Sequence, residues 1–115
     1  MKTLSLALLA TLLLAMPLAV HADQASITIL SPKDGAVLDA DESYSLEYEV
    51  VPGPGGDHFH VWVDGERGPG VHVLKGKYDL PKLTSGEHTI TIKVVDKGHV
   101  PTGPEKTIKV KAHEK

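Results

Sequence analysis

From Ser26 onward the chain is a succession of short runs in which apolar and polar residues alternate, separated by clusters of Gly, Pro and Asp. "YSLEYEV" puts Tyr44, Leu46, Tyr48 and Val50 on one side, and "HFHVWVD" does the same with Phe59, Val61 and Val63. "HTITIKVVD" aligns Ile90, Ile92 and Val94, and "KTIKVKA" aligns Ile108 and Val110. A period of two marks a strand with one face in a core, because successive side chains of a strand point to opposite sides. No segment sustains the helical period. "VPGPGGD" cannot be strand interior, since its prolines have no amide to give to a ladder. "SPKDG" and "GERGPG" read as turns, "LPKLTSGE" as a crossing segment and "KGHVPTGPE" as a second Pro/Gly loop. Further short strands are expected in "SITIL" (Ser26 to Leu30), in "AVLDADE" and in "VHVL" (Val71 to Leu74), with a frayed tail at "HEK". The pattern predicts an all-β sandwich or barrel of about seven antiparallel strands.

Residues 1-22 stand apart. Lys2 is followed by an apolar run from Leu4 to Leu18 and by Val20-His21-Ala22, with small residues where a signal peptidase reads. This is the pattern of a secretory signal peptide. The apolar run is short of the roughly 20 residues of a spanning helix, and no cysteine follows it to carry a lipid. The expected product is one domain, 23-115, periplasmic or secreted, with no membrane attachment after cleavage. Of the 115 residues 93 then remain, and the formal charge moves from −3 to −4 with the loss of Lys2. That balance gives no footing for nucleic acid.

The chain has no cysteine, and both methionines, Met1 and Met16, precede the expected cleavage point. The mature domain therefore has no sulfur ligand, which excludes thiolate zinc, iron–sulfur and blue-copper centres. Nitrogen is plentiful, from His58, His60, His72, His88, His99 and His113.

Seven or so short strands in this length fit an immunoglobulin-like β-sandwich. The segments "ILSPKDGAVL", "YSLEYEVV", "HFHVWVDGE" and "SGEHTITIKVVD" also resemble the immunoglobulin- or fibronectin-III-like domains of small exported bacterial proteins. Within that resemblance, "HFHVWVDGE" is similar to secreted families that carry H-x-H ahead of an Asp-Gly turn. The resemblance implies a sandwich in an exported setting and supplies no activity.

On such a sandwich the loop before "HFHVWVD" and the loop after "HTITIKVVD" share one end, so His58 and His99 should approach each other. If the hairpin after "HFHVWVD" is centred on Glu66, His60 faces His72 across the ladder, at a Cβ separation of about 4.5–5.5 Å. Val71 and Val73 then share the core face with Phe59 and Val61. The expected cluster is His58, His60 and His72, with His99 as a fourth ligand. Against it stands a plain polar strand face with no ion. Asp57 reads as an oxygen ligand, as a partner that fixes a ring tautomer, or as a turn residue. His88 should lie at the opposite end near Asp64 in a structural role, and His113 in the solvated tail.

Neutral imidazoles without sulfur suit Cu(II), and alternatively Zn(II) or Ni(II), with copper first on affinity. The function expected is that of an exported metal carrier or buffer. The alternative is a protein-interaction or dimerisation module with no metal, in which Trp62 and Leu74, expected on the histidine face, dock a partner or a second copy. No enzyme is expected. The serines occupy strands or turns and not a nucleophile elbow, and no pair of acids is set for an acid/base division.

Overall fold

The computed structural model describes residues 24–115, so the expected signal peptide lies outside the described residues. Eight strands follow one another: β1 (Ser26–Ser31), β2 (Val37–Asp39), β3 (Ser45–Val51), β4 (His58–Val63), β5 (Glu66–Val71), β6 (Lys75–Asp79), β7 (Gly86–Val95) and β8 (Pro101–His113). They form two layers, a three-stranded sheet in the order β1-β3-β6 and a five-stranded sheet in the order β2-β8-β7-β4-β5. All pairings are antiparallel except β2 with β8. The described residues contain no helix.

The alternation does the work expected of it. Leu46, Tyr48 and Val50 from β3 meet Phe59 and Val61 from β4, Ile90, Ile92 and Val94 from β7, and Ile108 and Val110 from β8 in one buried core. Tyr48 and Phe59 join the layers edge to face, with ring centroids 5.0 Å apart. The Tyr48 hydroxyl is kept satisfied by donating to the Val73 carbonyl at 2.7 Å, as a buried polar group requires.

The β4–β5 hairpin departs from the expected register. Asp64 and Gly65 form the turn, with φ of 52° and 85°. Positive φ at both central residues is what a two-residue hairpin needs, and Asp-Gly provides it. The turn is thus tighter than one centred on Glu66, and "ERGPGV" is strand β5 where a turn was expected. Trp62 pairs with Arg67; after an irregularity between His60 and Trp62, His60 pairs with Gly70 and Phe59 with Val71. The net displacement is two residues. His72 keeps its face but moves one pair along, from opposite His60 to beside His58.

Beyond Val71 the chain leaves this sheet and crosses to β6, which pairs with β3. "VHVL" is therefore not a strand. Val73 is exposed instead of in the core, and Leu74 turns inward against the core instead of outward with Trp62. "KGKYD" supplies the β6 strand that the sequence reading lacked. At the C-terminal end β8 begins already at Pro101, inside the expected loop. It runs to His113, whose backbone carbonyl accepts from Ala40 N at 2.7 Å, so the tail is paired that far.

Candidate metal centre

His58 and His60 occupy alternate positions of β4, on the face opposite Phe59 and Val61. That face was expected to be wet, yet the two histidines are only 2% and 3% exposed. The neighbouring elements close over them. β5 passes alongside with glycine at both critical places. A Cβ on Gly70 would sit 3.0 Å from His58 Cδ2 and 3.2 Å from His58 Nε2, and one on Gly68 would run into the Tyr78 hydroxyl. Gly70 is thus the close-approach position for the two rings, while Gly68 leaves room for the Tyr78 hydroxyl and offers its carbonyl to His60.

The third wall is the β7–β8 turn. The Asp96 carboxylate accepts from Gly98 N at 2.8 Å and from Val100 N at 3.0 Å, while the Asp96 carbonyl accepts from His99 N at 3.0 Å. This network holds His99 at φ 68°, a left-handed conformation uncommon for a residue with a side chain. It turns the His99 ring back onto β4. His99 Nδ1 lies 3.3 Å from His58 Nε2 and 3.1 Å from His60 Nε2.

The outer nitrogens of the two buried rings are both engaged. His58 Nδ1–H donates to Asp57 Oδ2 at 2.9 Å, and His60 Nδ1–H donates to the Gly68 carbonyl at 2.8 Å. Because each acceptor takes a proton on Nδ1, each Nε2 is left with a bare lone pair aimed at His99. A carboxylate or carbonyl on the far nitrogen is the usual way a protein fixes the tautomer of a metal-binding histidine. The hydrogen bond from His58 is the main cause that holds the Asp57 carboxyl below its ordinary range, with the nearby charge of Lys97 acting the same way against a desolvation that raises it.

The three inner nitrogens lie within 4.8 Å of one another. An ion bound tetrahedrally at 2.0–2.1 Å per bond spaces its nitrogens by about 3.3 Å, and the two contacts to His99 match that spacing. Three imidazole nitrogens at this spacing fit a divalent transition ion, which would take the place of the proton that His99 Nδ1 presents to the two Nε2 acceptors. His99, expected as the accessory ligand, is central. His72, expected in the middle, is not in this group. It stacks on the far side of His58, with centroids 4.5 Å apart and planes 20° from parallel, is 69% exposed, and sets Nε2 3.9 Å from Asp57 Oδ2. Asp57, His58 and His72 form a second group of ligand atoms within 4.8 Å.

Trp62 is half-buried on the same strand face, with the Lys93 ammonium 4.6 Å from its ring centre. Since Leu74 is packed inward, the two do not make a joint outward patch. His88 lies at the opposite end of β4, as expected. Its Nδ1 is 2.6 Å from Asp64 Oδ2 and its Nε2 2.6 Å from the Thr84 carbonyl. His113 is exposed and apart from both groups. The Gly68 carbonyl, Gly70 and the Asp96 turn escaped the sequence reading. The spacing of "GPG" after an Asp-Gly turn was the signal for the first two.

No known family profile matches the chain, and no curated protein does either. Among solved structures, the chain is similar to fibronectin(III)-like modules of CbhA from Clostridium thermocellum. The TM-score is 0.62 at 17% identity, over 77% of this chain and 98% of the module. It is also similar to the CARDB domain of a Pyrococcus furiosus protein in complex with di-metal ions. Here the TM-score is 0.55 at 17% identity, over 81% of this chain and 97% of that one. These likenesses show the fold: an immunoglobulin- or fibronectin-III-like β-sandwich.

Proposed function

We propose that the protein is an exported, non-catalytic binder of a divalent transition-metal ion, a carrier or buffer, that holds the ion on His58, His60 and His99. The observation that carries this reading is the convergence of His58 Nε2 and His60 Nε2 on His99 Nδ1, at 3.3 and 3.1 Å, while both outer nitrogens are tied to oxygen acceptors. Neutral imidazoles without sulfur favour Cu(II) on the affinity order, and the near-tetrahedral spacing suits Zn(II) equally. The Pyrococcus furiosus domain, crystallised with di-metal ions, supports the idea that a sandwich of this shape can carry metal.

The sandwich closes its core within residues 26–113, so the untagged chain from Asp23 onward is the test molecule. Calorimetric titration with Cu(II), and separately with Zn(II), is expected to show one tight equivalent. His60→Ala and His99→Ala should each remove it. Tight binding that survives both substitutions would sink the assignment.

A further inference from the structure

We propose that the same end of the sandwich holds a second, weaker metal position built from Asp57, His72 and the outer nitrogen of His58, so that the His58 ring bridges two ions. The inference rests on the reading of the His58–His60–His99 pocket as a metal site and extends it to a two-ion centre.

The two nitrogens of His58 look in different directions. Nε2 faces His99 in the pocket, while Nδ1 faces Asp57 Oδ2 at 2.9 Å. On that outer side His72 Nε2 lies 3.9 Å from the same carboxylate oxygen. Asp57, His58 and His72 can each present one ligand atom within 4.8 Å of the others. His72 is 69% exposed, so its ring can turn from the stacked position toward an ion without disturbing the core. Carboxylate oxygen with imidazole nitrogen is a donor set that suits Cu(II), Zn(II) or Ni(II).

Occupation of the outer position replaces one proton. The Nδ1–H bond of His58 breaks, its electron pair forms the bond from Nδ1 to the second ion, and the proton leaves to solvent. Asp57 and His72 each give a lone pair, and no electron is transferred. The ring then carries one negative charge and binds an ion at each nitrogen. Two divalent ions on one ring repel each other; the charges of the bridging ring and of Asp57 offset part of this. The outer ligands are also far more open to water than His58 and His60. Both effects make the second ion the weaker one, by roughly tenfold or more.

The test is a CuCl2 titration of the untagged chain from Asp23, in a buffer that does not bind copper, followed by calorimetry and by electron paramagnetic resonance. Two equivalents are expected, with one proton released from His58 as the second binds. The mononuclear signal that grows over the first equivalent should fall over the second, because spins bridged by one ring couple. His72→Ala should keep the first equivalent and its signal and lose the second. Saturation at one His60-dependent equivalent overturns the two-ion centre and leaves the pocket standing. A second equivalent that persists in His72→Ala, or that adds signal without coupling, is ordinary surface binding and also overturns it. Loss of all copper binding removes both readings.

Discussion

Histidine is used at both ends of strand β4, and the two ends treat it in opposite ways. At the Asp64 end, His88 is met by oxygen on both sides: the Asp64 carboxylate and the Thr84 carbonyl, each at 2.6 Å. Neither acceptor supplies a proton, so the two contacts together favour the doubly protonated, cationic ring. Its pKa is accordingly raised, first by the hydrogen bond to Asp64 and then by that to Thr84, against a desolvation that lowers it. At the other end the inner nitrogens of His58, His60 and His99 face one another. There each buried ring has already spent its proton outward. At one end oxygen on both nitrogens favours the charged ring; at the other, two Nε2 acceptors converge on a third ring nitrogen in an arrangement that a metal cation would complete. A histidine count alone does not distinguish the two. The atom on the far side of each ring does.

The contrast is broken most directly at the nitrogen-rich end. His60→Ala removes one of three ligands, and the loss of metal affinity should exceed the roughly 100-fold upper range of changes to groups that only orient a ligand. Asp57→Asn falls within that range. It weakens the acceptor on His58 Nδ1 without touching the pocket, and calorimetry should report a 10–100-fold weaker first equivalent. Gly70→Ala tests the close approach of β5. Its methyl would sit 3.0 Å from His58 Cδ2, so the ring must shift. The first equivalent should weaken by about tenfold, or 1.4 kcal/mol, with the fold retained in circular dichroism. An unchanged affinity would mean that β5 yields instead of the ring. Metal should also stabilise the folded chain: at a free ion concentration of 100 times Kd the gain is about 2.7 kcal/mol, read as a rise in Tm that His60→Ala abolishes.

Much of the fold could be read from the alternation, because a period-two pattern states which side of each strand meets the core. Leu46, Tyr48, Phe59, Val61, Ile90 and Ile92 lie where that pattern puts them. The sandwich topology then brought His58, at the start of β4, and His99, in a turn, together across a separation of 41 residues. What alternation does not encode is the phase between two strands. The register of the β4–β5 hairpin depended on whether Asp64-Gly65 or the residues around Glu66 make the turn, and an extra residue between Arg67 and Gly70 takes back one step of the resulting shift. A displacement of two leaves every face unchanged, so the pattern could not object, yet it moved His72 from His60 to His58. Burial of His58 and His60 was not legible for a related reason. It depends on Gly70 letting β5 approach the rings and on a left-handed His99, both features of turns and edges where no periodic signal exists.

The smallest expected effect lies at the oxygen-rich end, and its pH dependence runs against that of the metal pocket. The folded-state pKa of His88 is raised above the ordinary 6.5. Its contribution to stability is therefore fully present below pH 6.5, where the unfolded ring is also charged, and is lost as pH rises through the folded value. A hydrogen bond to a charged group is worth about 1.5–3 kcal/mol. Asp64 is 46% exposed, which screens the pair and brings the expectation down to about 1 kcal/mol. Urea unfolding of the metal-free chain from Asp23 beside His88→Gln isolates the term, since every other titrating group is common to both. The difference should be largest near pH 6 and shrink toward pH 9. Metal affinity should rise over the same interval, because imidazole must shed protons to bind an ion. A stability difference that instead grows with pH would mean that His88 is folded as a neutral ring, and the distinction between the two ends would lie only in position.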